Sequence, residues 1–168
     1  DPVNVACVSS VPAPNVNVVD DEADNCTDAA DLMVRYESGL STQSGTGCVG
    51  NPLIIHRVYS VTDEAGNTTY VTQTITALDN VAPTISTSGL SNWYPSGLAA
   101  INAAIARANA TKLDNCTPPV GITVTLGPVD TAGCAGTIVL FVSDACGNIS
   151  PTVNTTFHVT IDRAKPVV

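Results

Sequence analysis

The sequence predicts an all-β chain built as two tandem β-sandwich repeats, the second carrying one short inserted helix. Three observations predict it. An acid-to-proline junction occurs three times, at Asp1-Pro2, Asp79 to Pro83 and Asp162 to Pro166. A set of signposts then recurs in the same order between junctions: DNCT at 24–27 and 114–117, Gly-Cys at 47–48 and 133–134, and DxxGN at 63–67 and 144–148. Short runs that alternate apolar and polar residues lie between these signposts, as strands with one buried face do. The expected boundaries are 1–79 for the first repeat, 80–162 for the second with its helix near 97–109, and 163–168 as the start of a further repeat.

In the first repeat Val3, Val5 and Cys7 alternate as an opening strand. Pro12 and Pro14 interrupt, and Asn15 to Val19 reads as a second strand. DDEADNCT, residues 20–27, is a polar turn crowded with carboxylates; Leu32, Val34 and Tyr36 alternate after it. Residues 38–51 read as loop or a short edge strand. Leu53 to Thr62 is a strong strand with Ile55, Arg57, Tyr59 and Val61 on one face. DEAGN, 63–67, is a hairpin turn, its Gly supplying positive φ, and Thr68 to Leu78 returns.

The second repeat replays this order with different spacers. Its early gain holds SGLAAINAAIARANA, 96–110, rich in helix formers. Ser96 is the expected cap, and Leu98, Ile101, Ile105 and Ala108 the expected buried stripe. Trp93-Tyr94 beside it reads as the cover of the seam between helix and sheet, or as a binding platform. Some seven short strands per unit of about 80 residues argue an immunoglobulin-like sandwich. In that topology DNCT and DxxGN meet at the pole where the chain enters, beside the preceding junction.

Composition narrows the function. Apolar residues make up 44% of the chain, charged residues 12% and aromatics 4%, which suits a folded β-rich protein. The net charge of −9 lies wholly in residues 1–81, with eleven acids against two bases. Residues 82–168 hold four of each. Such a balance argues against nucleic acid as a partner, since it requires a basic face. The acidic half suits cations or simple solubility. Six cysteines without zinc spacing point to an oxidising, extracellular compartment, and no apolar run is long enough to enter a membrane.

DNCT, the Gly-Cys pair and VYSVTDEAGNTTYVTQTITALDNVAPT resemble the hyalin-like (HYR-like) immunoglobulin-type repeats of giant cell-surface adhesins of Bacteroidetes, including gliding-motility adhesins. The resemblance runs through both repeats from DNCT onward. It implies the sandwich fold and a stalk role. Repeat 1 departs from it with Ala65 where repeat 2 has Cys146, and repeat 2 has no counterpart of Cys7.

Calcium is the strongest chemical candidate, because a hard cation takes six to eight oxygens from loop carboxylates and amides. Repeat 2 offers Asp79, Asn80, Asp114, Asn115, Asp144 and Asn148; repeat 1 offers Asp1, Asp24, Asn25, Asp63 and Asn67 in corresponding places. The plainer reading is that Asp, Asn and Gly build turns. Shared positions favour disulfides Cys26–Cys48 and Cys116–Cys134, with Cys116–Cys146 as the rival. His56 and His158 fall in strands without a matching nucleophile and acid, so no enzyme is expected. Thr131, in Asp-Thr-Ala, resembles a bacterial O-glycosylation acceptor.

The expected function is a stalk segment of a long surface adhesin or filament, stiffened by calcium, with neighbouring repeats of the same chain as partners. The alternatives are a glycan- or surface-binding module and an accessory domain of a secreted enzyme.

Overall fold

The computed structural model describes residues 1–130 and 134–159. The chain divides into two compact units, Asp1–Asn80 and Val81–Val168. Among the described residues it is mostly β, with two sheets and one α-helix. The expected start of a further repeat, 163–168, lies outside the described residues, as does Thr131.

The first unit builds one sheet from β1 (Val3–Val5), β5 (Thr68–Ala77), β4 (Leu53–Thr62) and β2 (Met33–Tyr36), in that order, with β3 (Thr42–Ser44) also on β4. The long hairpin β4–β5 is its spine, paired from Leu53↔Ala77 to Thr62↔Thr68. Alternation sends Leu53, Arg57 and Tyr59 of β4, with Gln73, Ile75 and Ala77 of β5, to the buried face. The first strand lies parallel to the last, Val3 opposite Ile75 and Val5 opposite Ala77.

No second sheet covers this face among the described residues. The expected strand at Asn15–Val19 is instead a 3-10 turn, Val16–Val18. Pro12 and Pro14 lack the N–H that a strand ladder needs, and the Asn15 side chain takes the Asn17 N–H at 3.0 Å. This irregular segment is fastened to the sheet from below. Arg57 Nη2 donates to the Pro12 carbonyl, and the Asn15 N–H reaches the Tyr59 hydroxyl. Arg57, buried at the sheet's inner face, is therefore a structural clamp.

The second unit builds a four-stranded sheet, ordered β6 (Trp93–Tyr94), β9 (Val153–Val159), β8 (Ala135–Ser143) and β7 (Thr123–Asp130). Again the first strand runs parallel to the last, Trp93 opposite His158 and Tyr94 opposite Val159. The helix α1 (Gly97–Thr111) covers the inner face, its cap Ser96 accepting from the Ala99 N–H at 3.2 Å. The buried stripe is Ala100, Ala104 and Ala108, set four apart and packed on Ile138, Leu140 and Phe157. The expected stripe needs correcting. Leu98 is 67% exposed, and Ile101 and Ile105 flank the seam half-buried. Methyl side chains let the helix sit close on the sheet, so the large residues are displaced to its sides. Within the sheet itself Gly136 is equally crowded: an added Cβ would lie 2.1 Å from the Asp130 carbonyl oxygen and 2.6 Å from the Phe157 ring.

Candidate functional site

Both DNCT segments fold through their aspartate. Asp24 Oδ1 accepts from the N–H groups of Cys26 and Thr27, each at 2.9 Å. Asp114 Oδ2 accepts from those of Cys116 and Thr117, each at 2.7 Å. The backbone bonds to Asp24 favour its ionised form and hold its carboxyl below its ordinary pKa. In both loops the threonine that follows is buried.

The DxxGN turns are also built alike. Asp63 Oδ1 accepts from the Asn67 N–H and Oδ2 from Asn67 Nδ2, both at 2.7 Å. Asp144 repeats this with Asn148 at 2.9 and 2.8 Å, and Oδ1 also takes the Cys146 N–H. Gly66 and Gly147 supply the turn with φ of +89° and +81°, where a side chain would be strained.

The two motifs meet within each unit, as the sequence suggests. In the first, the Glu64 N–H points to Thr27 Oγ1 at 3.4 Å, and Asp24, Asp63 and Asn67 line one shallow cleft of about 190 Å³ with Leu32 and Val61. In the second, a disulfide joins them.

The disulfide pairing differs from the favoured one. Cys7, Cys48, Cys116 and Cys146 are oxidised, in two bonds, while Cys26 and Cys134 are exposed thiols. Kept within the units, the bonds are Cys7–Cys48 and Cys116–Cys146. Cys26–Cys48 and Cys116–Cys134 are thereby corrected. Gly47 packs so tightly that a Cβ there would lie 2.5 Å from Val8, which puts Cys48 beside Cys7. In the second unit the rival reading, a bond between the two turn loops, is the one formed. Two disulfides fit an oxidising environment. No helix among the described residues is long and apolar enough to cross a membrane.

Asp1 does not join Asp24 and Asp63. Extending the β1 register puts it beside Gln73, five positions along β5 from the hairpin turn, or roughly 17 Å. Asp79 is buried at the opposite end of β5, its N–H on the Gly47 carbonyl at 2.7 Å, and Asn80 beyond it is exposed. Asn25 and Asn115 are exposed at the tips of their loops, Asn115 Nδ2 lying 3.0 Å from Cys116 Sγ.

Most of the candidate calcium carboxylates are thus engaged in holding their own turns, which is what turn chemistry alone requires. One atom is left over. Asp114 Oδ1 is buried and has no hydrogen-bond partner among the described residues. An anionic oxygen in that position fits a cation.

His56 lies exposed on β4 with Nδ1 3.2 Å from Thr74 Oγ1. His158 stacks on Trp93, ring centroids 4.7 Å apart. Trp93 is 59% exposed, whereas Tyr94 packs against the helix–sheet core, so the two aromatics divide the roles of surface and seam.

Sequence reading missed a second cavity, of about 220 Å³, walled by Asp1, Asp20, Asp21 and the buried Gln73. Its signal was a glutamine in the inward row of β5, between apolar neighbours. No protein-family model matches the chain, and no curated protein matches it.

Proposed function

We propose that the chain is a load-bearing segment of a long extracellular repeat protein, similar to the hyalin-like immunoglobulin-type repeats of cell-surface adhesins. The observation that carries this reading is the parallel pairing of first and last strand in both units, β1 on β5 and β6 on β9. A pull on the two ends of such a pair runs along the strands in opposite senses. It therefore loads all the ladder's hydrogen bonds together instead of opening them one by one. The rebuilt DNCT and DxxGN loops support the repeat, and the disulfides limit how far each unit can extend.

Calcium stiffening at the Asp79-Asn80 junction is the ionic part of the proposal. Its support is the recurrence of oxygen-rich segments and the unpartnered Asp114 Oδ1. The exposed Trp93–His158 stack favours a second reading, a glycan-binding module, because an open indole face suits a sugar ring.

Single-molecule pulling on the chain, held at its two ends, tests the first reading. Two separate rupture events are expected, with added extension after reduction. The roughly 40 residues held by Cys7–Cys48 would release about 140 Å. Smooth extension without a rupture peak would refute it, and a glycan array tests the second reading.

A further inference from the structure

We propose that the first unit binds a neutral saccharide in a shallow groove on the outer face of its sheet. The groove, of about 370 Å³, crosses β2, β4 and β5. Its lining follows from the register. Arg35 pairs with Ser60, which pairs in turn with Tyr70; two positions along, Met33, Thr62 and Thr68 form a second row. On β4 these positions alternate with the buried Arg57 and Tyr59, so they lie on the opposite face. Strands about 4.8 Å apart set the backbones of Arg35 and Tyr70 roughly 10 Å from each other, with the short Ser60 between them. Long side chains on either side of short ones make a trough. Ser60 is its floor, only 4% exposed although it stands on the outer face.

The polar groups of the groove are held in place by the sheet. Ser60 Oγ donates to Glu37 Oε1 at 2.7 Å and so fixes a carboxylate at the groove wall. The Glu37 backbone is held as well, its carbonyl accepting from Ser41 Oγ at 2.9 Å and its N–H donating to the Val58 carbonyl. The Thr62 and Thr68 hydroxyls bond each other at 2.9 Å. Arg35 Nε rests on Met33 Sδ at 3.2 Å. Among the described residues nothing engages the Nη groups of Arg35 or Glu37 Oε2. Tyr70, 59% exposed, supplies an aromatic wall.

This lining selects the ligand. A guanidinium donates to two neighbouring oxygens and a carboxylate accepts from two neighbouring hydroxyls, so both match the vicinal diol of a sugar. An exposed tyrosine ring adds an apolar surface for the C–H face of a pyranose. Charge decides against an acidic sugar. Arg35 and Glu37 cancel within the groove, and residues 1–81 carry eleven acids against two bases. The second base, Arg57, is buried on the inner face and donates to the Pro12 carbonyl. An added peptide strand needs a sheet edge for its backbone, whereas this groove offers side chains on a face. The ligand class is therefore a neutral hexose unit with free vicinal hydroxyls. The site goes beyond the load-bearing reading, lies wholly in the first unit, and does not rest on the Trp93–His158 stack.

The test is an NMR titration of the whole chain with cellobiose, lactose, maltose and α-1,2-mannobiose, and with digalacturonate as the charged counterpart. Saturable amide shifts centred on 33–37, 60–62 and 68–70 are expected with at least one neutral disaccharide. Arg35→Ala and Tyr70→Ala, both at exposed positions, should each weaken that binding at least about fivefold. Glu37→Gln, which keeps an oxygen for Ser60, should weaken it by a similar factor. Unchanged amide shifts along β1 show that each variant is folded. Saturation by none of the neutral sugars, tighter binding of digalacturonate, undiminished affinity in the folded Arg35 or Tyr70 variant, or shifts centred on Trp93 and His158 instead would each overturn the proposal.

Discussion

Arg57 on β4 donates through Nη2 to the carbonyl of Pro12, 45 positions earlier in the chain. This bond fastens an irregular segment over the open face of the first sheet, the face that α1 covers in the second unit. A buried charged donor of this kind contributes about 1.5–3 kcal/mol. Arg57→Met should lower stability by roughly that amount, read by chemical denaturation. Stability unchanged within about 0.5 kcal/mol would remove the clamp from the account.

The oxidised cysteines give a mass-spectrometric prediction. Without reduction, iodoacetamide should label two sites, Cys26 and Cys134, both exposed. After reduction it should label six. Replacing Cys116 and Cys146 together by serine should cost roughly 3–4 kcal/mol in the chain-entropy model, for a loop of about 30 residues. Labelling of Cys7 or Cys48 in the unreduced chain contradicts the pairing.

The helix makes a contrast between two residues of one element. Ala104 is wholly buried against the sheet, and Leu98 is 67% exposed. Ala104→Leu should destabilise by about 1–3 kcal/mol through overpacking. Leu98→Ala should change stability by less than about 0.5 kcal/mol. The reverse ranking is what the sequence pattern alone implies, so thermal melts of the two variants decide between them.

That contrast shows what was legible beforehand and why. The hairpin from Leu53 to Ala77 was readable because strict alternation and an Asp…Gly-Asn turn agree with each other. Ser96 was readable as a cap because its side chain acts on neighbours three residues away. Local chemistry of this sort is written in consecutive residues. The alanine stripe was not readable, since hydrophobicity favours Leu98 and Ile101 while close packing on Ile138, Leu140 and Phe157 favours methyls. Asn15–Val19 alternates like a strand, yet Pro14 and the Asn15 side chain divert it. At the candidate site, the meeting of DNCT with DxxGN was foreseen, but the pairing of Cys7 with Cys48 was not. Spacing of cysteines carries no distance across a sheet. Asp1 was misplaced for the same reason, because its position follows from the parallel register of β1 on β5.

Asp24 sets a pH dependence with a definite sign. Its carboxylate accepts two backbone N–H bonds, so its folded pKa lies below the unfolded value of about 3.9. Such a group adds stability above the unfolded pKa, and the contribution disappears as pH falls through the lower folded value. The side chain is fully exposed, so the effect is small. Carboxyl carbon NMR should show the Asp24 midpoint below that of an ordinary aspartate. The melting difference between the native chain and Asp24→Ala should narrow as the pH is lowered through this range. A midpoint at or above the ordinary value contradicts the capped turn.

Calcium supplies the prediction with the widest consequence. If it stiffens the junction at Asp79-Asn80, small-angle scattering should report a narrower range of extension with calcium than with EGTA. The melting temperature should rise with calcium by mass action, because only the folded, ion-holding state binds it. Asp144→Ala is a poor probe, since Asp144 is buried and holds Cys146 and Asn148 in the turn, so its loss disrupts the loop itself. Asp114→Asn is better. An amide oxygen can still accept the Cys116 and Thr117 N–H groups, yet the negative charge behind the unpartnered Oδ1 is gone. That variant should lose most of the calcium response while folding normally in EGTA. Identical scattering of the native chain in calcium and in EGTA would leave the junction a plain spacer, with the acids serving turns alone.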